Sequence, residues 1–158
     1  MRLYIQHRIS ITILLFTLLI AGCTEDKYKD WQLLNEKWLT NNLKNDSIKQ
    51  TSSGLQYKVI YQGDPNMRKP SASSLVIVDY KGELIDGTVF QEAKAVQIEL
   101  SSNSLRQGWK EGLPLMNGGG TYVLYIPSDL AYGKDGLKPG IPPYSTLKFT
   151  ITLIDSQH

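Results

Sequence analysis

Residues 105–116 read LRQGWKEGLPLM, and Leu105, Trp109, Leu113 and Met116 recur there at i, i+4, i+8 and i+11, the spacing of one helix face. By intrinsic preference this is a poor helix, because Gly108, Gly112 and Pro114 all weaken it. Tertiary packing therefore has to hold it, with Trp109 on the packed face. The partner is a sheet, since the period of the surrounding chain changes to two. Leu55, Tyr57, Val59 and Tyr61 alternate with polar positions, as do Val96, Ile98 and Leu100, then Leu147, Phe149, Ile151 and Leu153. Leu75-Val76-Ile77-Val78 and Tyr122-Val123-Leu124-Tyr125-Ile126 are denser β-type runs, and Asp86-Gly87 between Leu84 and Val89 signals a hairpin. The pattern predicts an α+β domain, an antiparallel sheet of about five to six strands packed on one short helix.

The chain opens with Arg2 and Arg8, an apolar run from Ile9 to Ile20, and then Ala21-Gly22-Cys23. A basic start, an apolar segment short for a bilayer span and a small-residue exit predict a secretory signal at residues 1–22. Ile20-Ala21-Gly22-Cys23 resembles the bacterial lipobox, in which the cysteine thiol carries the lipid and becomes the first residue after cleavage. The 17 basic residues exceed the 15 acidic ones by Arg2 and Arg8 alone, so the formal charge of +2 belongs to the signal. No general case for nucleic-acid binding remains. With Cys23 lipidated, the single cysteine of the chain is used, and neither a disulfide nor a free thiol is left. The expected place is the bacterial cell envelope, as a lipid-anchored, extracytoplasmic membrane lipoprotein.

The two histidines are His7, in the signal, and His158, the last residue. The folded part thus lacks the parts of Ser-His-Asp and Cys-His triads and of almost every zinc site. Gly118-Gly119-Gly120 lacks the lysine of a phosphate loop. No cofactor and no metal are expected, and the work falls to aromatic, apolar and backbone groups.

Between tether and sheet, Trp31, Leu34, Trp38 and Leu39 stand at helical spacing, with Asp30 as a candidate N-cap and Asn45-Asp46-Ser47 as a stop. This Trp31–Leu43 helix either packs its stripe on the neighbouring domain or serves dimerisation or a partner. The oligomeric state stays open.

Six motifs then occur in order: Ser53-Gly54-Leu55-Gln56-Tyr57, Val78-Asp79-Tyr80-Lys81-Gly82, Asp86-Gly87-Thr88-Val89-Phe90, Gly108-Trp109-Lys110-Glu111-Gly112, Ile126-Pro127 through Ala131-Tyr132-Gly133, and Ile141-Pro142-Pro143 through Thr146-Leu147-Lys148-Phe149. Together, from about Ser52 to Asp155, they resemble an FKBP-type peptidyl-prolyl cis-trans isomerase. The resemblance implies a half-barrel sheet wrapped on one helix, with a prolyl-sized pocket between them. It makes Trp109 the pocket floor, Tyr80, Phe90 and Phe149 its aromatic walls, and Leu105 and Ile141 its aliphatic rim. Tyr132 would donate its hydroxyl to a substrate carbonyl, as would the backbone N–H of Arg106. The expected layout is a signal at 1–22, a lipidated tether and short helix at 23–50, and the isomerase domain at 51–158. Proline-containing polypeptides are the implied partners, and macrolides an implied ligand class.

Two residues of the substrate-binding rim depart from the family pattern. Gln91 stands where active members usually carry an aspartate, and Arg106 replaces a rim isoleucine. An arginine stem still covers apolar surface while its head reaches water. These changes keep a second reading open, a catalytically weak proline-loop-binding or chaperone module with the same fold.

Overall fold

The computed structural model describes residues 26–157. The apolar N-terminal run, the Ile20-Ala21-Gly22-Cys23 motif and His158 lie outside the described residues. A compact unit begins at Trp31.

The described residues form helix α1 (Lys29–Asn42), strands β1 (Ile48–Gln50), β2 (Gln56–Tyr61), β3 (Leu75–Leu84) and β4 (Val89–Glu99), helix α2 (Gln107–Gly112), then β5 (Thr121–Ile126) and β6 (Leu147–Gln157). All six strands join one antiparallel sheet in the order β1-β2-β5-β6-β3-β4. The architecture is the α+β arrangement expected from the periodicities. Strand β1 falls within residues 23–50, read from the sequence as tether and short helix; its three residues are too few to show a period. Asp86-Gly87 makes the β3–β4 turn, where Gly87 takes φ +88° and Leu84 N–H bonds Thr88 O at 2.9 Å.

The ladder shifts between Val59 and Tyr61, between Ile77 and Val78, between Val78 and Tyr80, and between Gly82 and Glu83. Each extra residue adds local right-handed twist; one falls on β2, and the three shifts along β3 put theirs on its partners, Ile154 on β6 and two on β4. The partner strand adapts at Ala95, which adopts φ +51° and donates its N–H to Asp79 Oδ1 at 2.7 Å.

Helix α2 sits close enough to β5 that its glycines are required. A Cβ on Gly108 would overlap the Ile126 side chain, and one on Gly112 would overlap Leu124. The residues that make α2 a poor isolated helix thus let it approach the sheet. Trp109, Leu113 and Met116 bury into the core with Val76, Val78, Leu124, Ile126, Leu147 and Ile151.

β5 explains the unbroken apolar run at 122–126. Tyr122, Leu124 and Ile126 join the core under α2, while Val123 and Tyr125 point the other way and are also buried. Trp38 of α1 covers that second face, its ring 5.5 Å from that of Tyr125.

Helix α1 packs on its own sheet through Trp31, Trp38 and Leu39 of the expected stripe, but not through Leu34. It begins at Lys29, so Asp30 lies inside the first turn instead of capping it. Leu34 is 56% exposed, whereas Asn35 is 2% exposed and lies at the centre of the packed face. Hydrogen bonding decides this, because Asn35 Oδ1 accepts the buried Thr146 N–H at 2.7 Å and Asn35 Nδ2 donates to Trp31 O at 2.8 Å. Gln56, 1% exposed, completes the contact by donating to Leu39 O and accepting from Asn42 Nδ2. A leucine at position 35 would leave the Thr146 donor without an acceptor.

The α2–β5 contact has a direct test. Gly112→Ala gains at most about 1 kcal/mol of helix propensity. Overpacking against fully buried Leu124 costs about 1–3 kcal/mol. A lower denaturant midpoint is therefore expected, with unchanged slope; an equal or higher midpoint would show that the helix can move away freely.

Candidate active site, an aromatic pocket between helix and sheet

Period two on β3 puts Tyr80 and Gly82 on the same face, and the register sets Gly82 opposite both Gln91 of β4 and Phe149 of β6. Gly82 matters because a Cβ there would stand 2.6 Å from the Phe90 ring and 2.8 Å from the Phe149 ring. The missing side chain is the space in which those rings meet. Trp109 arrives from α2, 6% exposed, and closes the base.

The rings pack edge to face throughout. Trp109 and Phe149 lie 5.0 Å apart at 78°, Tyr80 and Trp109 5.2 Å apart at 86°, and Phe90 and Phe149 5.5 Å apart at 88°. Tyr80 and Phe149, 6.0 Å apart, complete a mutually contacting trio with Trp109. Such pairs contribute about 0.5–1.5 kcal/mol each beyond area burial, so the walls hold their shape.

These walls line a half-open cavity of about 140 Å³. Apolar cavities of roughly 150 Å³ take up benzene, so the volume suits one small ring. Tyr80, Trp109 and Phe149 line it together with Tyr132, Leu105, Arg106 and Gln91. Phe90 and Ile141 do not reach it. They line an adjoining hollow of about 350 Å³ with Leu137, Lys138, Pro139 and Gly140, and Gln91 borders both spaces. Phe90 still supports the cavity, through its contact with Phe149.

Ile98 and Ser104 also line the cavity, unforeseen from the sequence. Ile98 carried a signal, the alternation Val96, Ile98, Leu100, which puts it on the core face of β4. Ser104 ends a run of polar residues, Ser101 to Ser104, that distinguishes none of them.

The rim comes from the loop 132–145. Leu137 and Ile141 exchange backbone hydrogen bonds at 2.8 Å, and Gly136, at φ +64°, packs against the Ile141 carbonyl and the Pro142-Pro143 backbone. Tyr144 N–H returns to Gly133 O at 2.8 Å and shuts the loop. Its base is tied to α1, because Ser145 Oγ accepts from Trp31 Nε1 at 2.9 Å while donating to Pro142 O at 2.7 Å. Tyr132 thereby stands over the cavity, and the Arg106 guanidinium lies 4.7 Å from its ring centroid.

No carboxylate, imidazole or thiol lines the cavity. Burial, aided by nearby Tyr132, pushes the Tyr80 phenol above its ordinary value, so its proton stays on at neutral pH. Among the described residues no cluster of three or more His, Cys, Asp or Glu side chains could hold a metal ion. The chemistry on offer is an aromatic-walled, single-ring socket with polar groups of Gln91, Ser104, Arg106 and Tyr132 around it.

Residues 66–154 match the family described as FKBP-type peptidyl-prolyl cis-trans isomerase. The chain belongs to that family. The FKBP-type 22 kDa peptidyl-prolyl cis-trans isomerase of Escherichia coli K12 is 42% identical over 121 residues, covering 75% of this chain and 58% of that protein. The Outer membrane protein MIP of Legionella longbeachae is 40% identical over 121 residues, covering 75% of this chain and 51% of that protein. The chain thus spans about half the length of the curated relatives it matches. Among solved structures, a peptidyl-prolyl cis-trans isomerase from Pseudomonas syringae matches with TM-score 0.78 at 28% identity, covering 85% of this chain and 99% of that one. FkpA from Escherichia coli matches with TM-score 0.76 at 34% identity, covering 94% and 71%. In this FKBP-type chain the family match starts after β2, so α1, which ties down the pocket loop, lies outside it.

Asn35→Ala tests that tie. Losing the acceptor of a buried N–H costs about 1–3 kcal/mol. Amide exchange should speed up at Thr146 and in the loop before it; a loop whose exchange is unaltered would contradict the tie.

Proposed function

We propose that the protein is a peptidyl-prolyl cis-trans isomerase acting on Xaa-Pro bonds of extracytoplasmic polypeptides, with the aromatic cavity as its active site. The observation that carries this reading is a single-ring cavity walled by Tyr80, Trp109 and Phe149 and free of acids and bases, in a chain of this family. An Xaa-Pro bond turns slowly because amide resonance sets a barrier of roughly 18–20 kcal/mol. The cis form itself is only about 0.5–1 kcal/mol above trans. Nothing needs to be cleaved; the twisted amide only has to be favoured. That form has lost resonance and is less dipolar than the planar one, so a dry aromatic wall disfavours the ground state more than the transition state. The Tyr132 hydroxyl and the Arg106 N–H hold the flanking carbonyls. Phe90 and Ile141, in the adjoining hollow, receive the chain next to the proline, and a macrolide would occupy the same two spaces.

Protease-coupled isomerisation of Xaa-Pro peptides by the full-length protein is the test. A rate above background is expected, and Tyr132→Phe should reduce kcat/KM about two- to tenfold, the worth of one hydrogen bond. The profile should be flat from about pH 6 to 9, because no carboxylate or imidazole lines the cavity and the Tyr80 phenol is raised. A rate equal to background would refute catalysis. Gln91, a neutral group at the border of both spaces, favours a second reading, a proline-loop-binding or chaperone module. Peptide binding without turnover, with Gln91→Asp gaining activity, would select it.

The same reading places the protein in the cell envelope, anchored by lipid on Cys23 after removal of residues 1–22, with residues 23–50 as tether and helix before the isomerase domain at 51–158. Its support is the Ile20-Ala21-Gly22-Cys23 sequence, together with a relative named as an outer membrane protein. No described helix is long and apolar enough to cross a membrane. Several acyl chains on one residue suffice for stable anchoring. Cys23→Ser should move the protein from the membrane to the soluble fraction; retention in the membrane would count against lipid attachment.

A further inference from the structure

We propose that Arg106 makes this site selective for prolines flanked by an acidic residue, an inference that rests on the cavity being the prolyl site. Arg106 is exposed and lines the cavity, with its guanidinium over the Tyr132 ring at 4.7 Å. The ring holds the guanidinium carbon above its face, and the N–H donors of the fork remain for a partner. Among the described residues the ion pairs are Lys81 and Lys148 with Glu83, so no described carboxylate pairs with Arg106.

The surroundings reinforce the sign. Neither the cavity nor the adjoining hollow is lined by Asp or Glu; Gln91 borders both, and Lys138 adds a second cation to the hollow. The mature chain has no general excess of positive charge, since the surplus lies in Arg2 and Arg8, so this is a local feature. A proline ring seated in the cavity puts its neighbour one residue away, about 3.3–3.6 Å along an extended chain. That neighbour's side chain comes within reach of the guanidinium, whose planar fork matches a carboxylate. A glutamate or aspartate beside the proline would be held there, and a lysine repelled.

The experiment compares Glu-Pro, Leu-Pro and Lys-Pro peptides of otherwise equal sequence, at low and high salt, in the full-length protein and in Arg106→Met and Arg106→Lys. Leu-Pro turnover reports the isomerase itself. The Glu-Pro to Leu-Pro ratio of kcat/KM reports the inference. That ratio should exceed the Arg106→Met value about two- to fivefold at low ionic strength, the range of a partly exposed ion pair. It should shrink as salt screens the pair, and Arg106→Lys should keep part of it. Lys-Pro should show the opposite order. Leu-Pro turnover with an identical ratio in the protein and in Arg106→Met overturns the inference and leaves the isomerase standing. If no peptide is turned over, the isomerase reading fails, and the same ratio of peptide affinities, read by tryptophan fluorescence, decides the selectivity.

Discussion

The close approach of α2 to β5 is the contact on which the rest depends. Two glycines on one helix face, Gly108 and Gly112, let Ile126 and Leu124 occupy the place of their missing side chains. Trp109 lies between those glycines in sequence, so the depth of the helix sets the depth of the pocket floor. A helix held farther from the sheet by a side chain's thickness would lift Trp109 off Tyr80 and Phe149, which now stand 5.2 and 5.0 Å from it. Gly82 does the same work on the sheet side, leaving room for Phe90 and Phe149 to meet. The socket is thus built from absent side chains as much as from aromatic ones.

Around that contact the molecule spends its polar groups on position. Asn35, Trp31 and Ser145 connect α1 to the base of the loop that carries Ile141, and Gln56 anchors the far end of the same helix. Their bonds are buried or half-buried, where an unmade partner is costly, so they specify one placement of helix and loop. Arg106 and Tyr132 face each other across the mouth, one a permanent cation and the other a hydroxyl on an aromatic face. Such a mouth sets a cation and a hydroxyl beside an aromatic-walled cavity.

Much of this was legible in the sequence, for reasons that can be named. Period two and the denser β-type runs identified the strands other than β1. The spacing of Leu105, Trp109, Leu113 and Met116 identified the internal helix, though its α-helical part covers only Gln107–Gly112. The order of the motifs brought Tyr80, Trp109, Tyr132 and Phe149 together, as the cavity does. Periodicity failed at α1, where Leu34 faces outward and Asn35 inward, because an apolar count cannot see a buried backbone donor such as Thr146 N–H. It also gave no way to separate the cavity from the hollow beside it, so Phe90 and Ile141 were grouped with residues that they adjoin. The hollow takes its walls from the closed loop 137–141, and that closure leaves no periodic trace.

The central claim is that the proline ring itself enters the space among Tyr80, Trp109 and Phe149. Nuclear Overhauser contacts between a bound Xaa-Pro peptide and the full-length protein measure this most directly. Proline ring protons should contact the Trp109 indole and the Phe149 ring. Contacts confined to Leu137, Pro139 and Ile141, with none to Trp109, would contradict it.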